Sequence, residues 1–259
     1  MLTQQQQLKY SRQILLKKIG EQGQVALSNA RVLIVGVGGL GNPVALYLAA
    51  AGVGKLFLVD GDIIELSNLP RQILFSEQQV NNNKADAAAD KLQQQFPETE
   101  IEVIDEMFDQ ELADYYLNEV DLVLDCTDNI NSRYLINKLC VQSKIPLIIG
   151  AATGFDGQHL MVDPHDDNSA CYHCLYPSSE KAPANNCQTA GILGPILAII
   201  GGMQALTAIK YITDNKIPTN QLSLFDGLTN QWQQFTIKKN SQCEVCAKET
   251  TMQPPLNKH

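Results

Sequence analysis

Two cysteine pairs, Cys171-Tyr-His-Cys174 and Cys243-Glu-Val-Cys246, are separated by 68 residues. Two residues between thiolates let one turn of chain present both sulfurs to a single ion, and two such turns complete the tetrahedron that zinc prefers. One C-x2-C alone would also suit a redox pair; two favour Zn2+. A site closed by four thiolates keeps no open position, so its metal would serve stability and not catalysis. His173 is expected beside the ligands or at the surface, because four sulfurs already satisfy the ion. The spacer exceeds that of a zinc ribbon, so the fold must bring the pairs together.

A second kind of chemistry is written in Gly36-Val-Gly-Gly-Leu-Gly41. Residues without a Cβ let the backbone turn tightly and offer N–H groups to phosphate oxygens, where a helix N-terminus adds partial positive charge. Asp60 follows 19 residues after Gly41, the place of a carboxylate that accepts ribose hydroxyls. Together these imply a nucleotide, and a nicotinamide-dependent oxidoreductase would show the same two features. Two further segments are unusually polar for their positions. Ser67 to Gln72 supplies Asn68 and Arg71, and Asp125-Cys-Thr-Asp-Asn129 ends an apolar run, with Lys84 between them. An Arg, a Lys and an Asp converging on one sheet edge suit a triphosphate and Mg2+ better than a nicotinamide.

Of the seven cysteines, three lie outside the pairs. Cys126 and Cys140 sit in apolar stretches and are expected to be buried and inert. Cys187 closes PSSEKAPANNC, a stretch with two prolines and no apolar periodicity, just ahead of an apolar helix. A thiol at a helix start can have a lowered pKa and react as a nucleophile, or it can be a loop thiol without a role.

The elements that must position these groups alternate in type. Residues 31–37, 55–60, 101–104, 121–126 and 146–150 are short runs rich in Val, Ile and Leu, as strands buried on both faces are. Pro43 to Ala51, Lys84 to Phe96 and Ser132 to Ser143 have helix-forming composition. That alternation predicts an α/β fold with a doubly wound, mostly parallel Rossmann-like sheet. Leu8 to Leu27 reads as a helical arm carrying Arg12. After Gly150 the pattern changes to half-exposed strands at GQHLMVD, QLSLFD and QWQQFTI, an antiparallel extension. The whole chain, 1–259, reads as one domain, with an arm and nucleotide-binding part over 1–150 and a metal- and partner-binding part over 151–259.

Composition removes other classes. With 19 basic against 28 acidic residues the net charge is −9, which gives no electrostatic footprint for nucleic acid. The odd cysteine count rules out a fully paired disulfide framework, and the polar start MLTQQQQLKYSRQ has no signal-peptide pattern, so a cytoplasmic location is expected. Ala190 to Ile209 is nearly long enough to span a bilayer, yet it holds Pro195 and Gly201-Gly202 and lacks basic flanks. It is expected to be a core or subunit-interface helix, not a membrane anchor.

YSRQILL, GVGGLG, LVDGD, SNLPRQ, Lys84, DCTDN, CYHC and CEVC occur in an order and spacing that resemble the ThiF/MoeB/HesA family, bacterial relatives of ubiquitin-activating enzymes, from Tyr10 to Cys246. The Asn186-Cys187-Gln-Thr-Ala-Gly segment resembles the ThiF branch, which adenylates a thiamine-pathway sulfur carrier; the MoeB branch, acting on the molybdopterin carrier, is the alternative. The resemblance implies that Gly39 and its loop hold the phosphates of ATP, Asp60 the ribose, and Asn68, Arg71 and Lys84 the triphosphate. Asp128 would hold magnesium, and Asn129 would line the same pocket. Arg12 would reach into the site of a partner subunit in a homodimer, and Cys187 would link covalently to the carrier. The implied partners are a ubiquitin-like carrier ending in Gly-Gly and a sulfur donor such as a cysteine desulfurase. Pro70 departs from the family, where Gln is usual; it removes a donor and stiffens the turn before Arg71.

Overall fold

The computed structural model describes residues 2–177 and 191–247. One eight-stranded sheet runs in the order β3-β2-β1-β4-β5-β6-β7-β8. Its parallel part comprises β1 (Arg31–Val35), β2 (Lys55–Val59), β3 (Glu100–Ile104), β4 (Leu122–Asp125) and β5 (Leu147–Thr153). The antiparallel extension is β6 (Asp156–Val162), β7 (Gln221–Asp226) and β8 (Gln231–Thr236). In register, Val35 sits opposite Val59 on one side and Asp125 on the other, so three strands end together. Strand order reverses between β1 and β4, opening the crevice where doubly wound sheets bind ligands.

Alternate side chains of the central strands enter two cores. Val32 and Ile34 pack under α4 (Gly41–Ala51), α5 (Lys84–Gln95) and the long helix α9 (Gly194–Ile212). Leu33 and Val35 pack under α6 (Gln110–Tyr116), α7 (Ile130–Gln142) and α8 (Tyr172–Leu175). Burial on both faces explains why these strands are unbroken apolar runs. β8 differs from the expected half-exposed strand: as the sheet's last strand it is exposed along its whole length.

The expected helical arm is broken into α1 (Gln4–Lys9), α2 (Ser11–Ile14) and α3 (Gly20–Asn29). Tyr10 leaves helical geometry at ψ 11°, and Gly20 turns the chain at φ +59°. Tyr10 is buried and its hydroxyl donates to Glu98 at 2.9 Å, so the break anchors the arm. α6 has little apolar periodicity and was not legible as a helix. α9 has the length and apolar composition of a membrane span, but it buries Ile196, Leu197, Ile200 and Ala208 against α4 and the sheet. Pro195 occupies its first turn, where a missing N–H is tolerated. Gly201 is required for the close helix approach: a Cβ there would lie 2.6 Å from Pro43 Cγ.

Candidate nucleotide pocket and cysteine cluster

The crevice beyond β1, β2 and β4 is a cavity of about 830 Å³. Its walls bring together Gly39, Asp60, Asn68, Arg71, Lys84, Asp128 and Asn129. Gly36 starts the phosphate loop at φ +88°, and a Cβ there would be 2.9 Å from the Cys126 carbonyl oxygen. Only glycine passes the adjoining strand in that conformation.

Asp60 is buried just past β2. Its Oδ2 accepts from the Val37 N–H at 2.7 Å and its Oδ1 from the Asp62 N–H at 2.9 Å. One lone pair per oxygen remains, enough for two hydroxyls. Burial pushes this carboxyl above the usual carboxylate range, against the pull of the Lys84 ammonium and the two N–H groups. Lys84 opens α5 with its Nζ 2.8 Å from Asp62 Oδ2. Asn83 fixes that start: its Oδ1 accepts from the Ala85 and Asp86 N–H groups, and its Nδ2 donates to the Asp60 carbonyl at 3.0 Å. Asn83 was missed in the sequence, although an Asn ahead of a helical run is a capping signal.

On the opposite wall, Asn68 is buried and Arg71 half-buried. The turn continues past Pro70, with the Arg71 N–H on the Asn68 carbonyl at 3.0 Å and the Arg71 Nη1 on the Ser67 carbonyl at 2.8 Å. Asp128 is exposed and has no hydrogen bond or ion pair among the described residues. Asn129 caps α7, its Oδ1 accepting from the Ser132 N–H at 2.9 Å. Asp125, read with the polar cluster, is instead wholly buried and paired with Arg133, a residue the sequence reading missed. Two cations and an open carboxylate beside a glycine loop fit a polyphosphate with a divalent cation, which Mg2+ meets with one or two carboxylates plus phosphate oxygens. Arg12 is exposed on α2 and does not line this cavity.

The four paired cysteines meet at the core that contains Leu33 and Val35, their Sγ atoms all within 4.8 Å of one another. Cys171 lies 3.6 Å from Cys243, Cys174 3.3 Å from Cys246, and Cys171 3.9 Å from Cys174. A tetrahedron with Zn–S bonds near 2.3 Å has sulfurs about 3.8 Å apart, so the donor set fits zinc in size and type. The Asn240 N–H donates to Cys174 Sγ at 3.4 Å, the outer-shell bond that steadies a thiolate ligand. His173 is not part of the cluster; its Nε2 lies 3.9 Å from Glu244 Oε2. Cys126 and Cys140 are buried, and burial raises both thiols. Cys187 lies outside the described residues.

The sequence matches the profile of the ThiF family over residues 10–245. It is 42% identical over 239 residues to the sulfur carrier protein ThiS adenylyltransferase of Escherichia coli (strain K12), covering 92% of this chain and 94% of that protein. Identity to the molybdopterin-synthase adenylyltransferase of the same organism is 39% over 246 residues, covering 95% and 98%. The adenylyltransferase and sulfurtransferase MOCS3 of Caenorhabditis briggsae is 42% identical over 254 residues, and the match covers 96% of this chain but 62% of that longer protein. Among solved structures, E. coli MccB with MccA-N7isoASN matches with a TM-score of 0.81 at 25% identity, covering 93% of this chain and 75% of that one.

Proposed function

This chain belongs to the ThiF family, and from that premise we propose that it is an ATP-dependent adenylyltransferase acting on a ubiquitin-like sulfur carrier, of the ThiS kind used in thiamine synthesis. The observation that carries this reading is the convergence of Arg71, Lys84 and Asp128 on one cavity with the glycine loop and Asp60. The continuous sheet through both halves supports treating the chain as one domain.

A carboxylate at the carrier's C-terminal glycine has an ordinary pKa of about 3.5, so it is ionised at neutral pH and needs no general base. One of its oxygens attacks the α-phosphorus of ATP, a new O–P bond forms, and the bond to the bridging oxygen breaks. Pyrophosphate leaves with that electron pair. The obstacle is repulsion between two anions, and fixed cations lower it more than mobile ones because they need no reorganisation during the reaction. Arg71 and Lys84 supply that charge from this chain, and Arg12 supplies it from the second copy in a homodimer. Asp60 orients the ribose, Asn68 the triphosphate, and Asn129 borders the same wall. Magnesium held by Asp128 and phosphate oxygens would neutralise further charge. Zinc on the four cysteines would tie residues near 171 to residues near 246.

The product is a mixed anhydride, open to a sulfur nucleophile. Cys187, as thiolate or as a persulfide charged by a donor such as a cysteine desulfurase, displaces AMP to give a thioester or acyl disulfide. α9 begins at Gly194, seven residues beyond Cys187, so the role rests on the resemblance of the Asn186-Cys187-Gln-Thr-Ala-Gly segment; Cys187→Ala should keep adenylation and lose the covalent carrier adduct by intact mass. The molybdopterin carrier is the second reading, favoured by the 39% identity to that relative. Mixing the protein with each carrier and MgATP decides between them: exchange of labelled pyrophosphate into ATP is expected with the ThiS-like one. Absence of exchange with every Gly-Gly-ending carrier would refute adenylation.

A further inference from the structure

We propose that Arg133 is a positioning residue for adenylation, acting from beneath the loop that presents Asp128; this rests on the adenylation reading above. Arg133 lies one turn into α7 and is 8% exposed. Its Nε donates to Asp125 Oδ2 at 3.2 Å, and its Nη2 to the Thr127 carbonyl at 2.9 Å and the Gly150 carbonyl at 3.4 Å. The other oxygen of Asp125 accepts from the Thr127 N–H at 2.9 Å and the Thr127 hydroxyl at 2.7 Å. Gln204 of α9 donates to the Asp125 carbonyl at 2.8 Å, and the Tyr172 ring covers the guanidinium at 5.7 Å.

Both polar groups of Thr127's backbone are thus held by one buried ion pair. The peptide that leads into Asp128 cannot rotate without breaking the hydrogen bond that its carbonyl accepts from Arg133, while Asp128's own carboxylate has no partner to orient it among the described residues. A buried charge pair is a poor source of net stability, because desolvation offsets its attraction. Geometric precision is what it supplies here: a ligand displaced by a fraction of an ångström loses much of its effect on a phosphate-bound cation.

The test is Mg2+ titration of binding of a fluorescent ATP analogue, which needs no carrier and no turnover. Arg133→Lys keeps a charge but loses the fork, and Asp125→Asn keeps the volume but loses the ion pair. Each should raise the half-saturating Mg2+ about tenfold in the wild-type background and leave the weaker binding of Asp128→Ala unchanged within about twofold, since coupled residues are non-additive. Equal losses in both backgrounds, or no shift in either folded variant, would overturn the proposal. Wild-type protein that binds MgATP but exchanges no pyrophosphate would sink the adenylation reading separately.

Discussion

Arg71 donates from Nη1 to the carbonyl of Ser67 at 2.8 Å, an acceptor that the residue at 70 would claim in a continuing 3-10 turn if it had an N–H. Pro70 has none, so the carbonyl is left to the guanidinium. The departure from the family pattern therefore holds Arg71, the cation proposed to grip the triphosphate, against its own backbone. Binding a nucleotide has to break a hydrogen bond worth about 1 kcal/mol. Pro70→Ala restores the competing donor and should lower the ATP KM about fivefold with little change in kcat. An unchanged or raised KM would show that the Ser67 contact does not restrain Arg71.

The cysteine cluster joins the α8 turn to the chain after β8, so losing an ion held there should loosen one face of the sheet. One zinc per chain is expected by metal analysis. Cys243→Ser should abolish it and lower Tm by on the order of 10 °C, because structural zinc contributes folding free energy directly. Full stability after removal of the metal by a chelator would make the cluster a set of ordinary buried thiols.

The parts of this molecule that sequence reading reached are those whose function depends on residue type. The centres of strands β1, β2 and β4 are runs of Val, Ile, Leu and Phe because both faces are buried, and the glycine loop starts at a φ of +88° that suits glycine at position 36. The C-x2-C spacing exposed the cysteine cluster for the same reason. Arg133 was invisible because a lone arginine in a helix looks solvated; its burial exists only once α7 lies over Asp125 and Gly150. The burial of Asp125 was not legible either, since a strand-end carboxylate has one sequence signature whether it faces the cavity or the core. The break at Tyr10 was likewise hidden, because its cause is a contact with Glu98 far along the chain.

His159 on β6 is buried, with Nε2 lacking any hydrogen-bond partner among the described residues. Burial first, and the Lys210 charge second, push its pKa from 6.5 down to about 4. The unfolded chain therefore takes up a proton between pH 6.5 and about 4 that the folded chain refuses. Stability should be full above that window and fall as pH drops through it, by about 3 kcal/mol at most. His159→Gln removes this titration, so its urea midpoint should decline less between pH 6.5 and 4 than that of the wild type. Parallel declines would mean that His159 is solvated or paired in the native state.

Arg12 is exposed on α2 and away from the cavity of its own chain, so its proposed role requires a second copy. Tyr10 fixes the arm two residues earlier through Glu98, and Gln13 Nε2 holds the Ala51 carbonyl at 3.3 Å one residue later. The arm is thus anchored to its own subunit, with Arg12 held outward. If each site takes its arginine from the partner, Arg12→Ala and Lys84→Met should each be nearly inactive alone. In a mixed dimer, one site combines the Lys84 of one chain with the Arg12 of the other. Random exchange of an equal mixture makes half the dimers mixed, each with one intact site of two, so pyrophosphate exchange should return to about a quarter of the wild-type rate. No recovery after verified subunit exchange would place Arg12 in its own chain's site or outside the reaction.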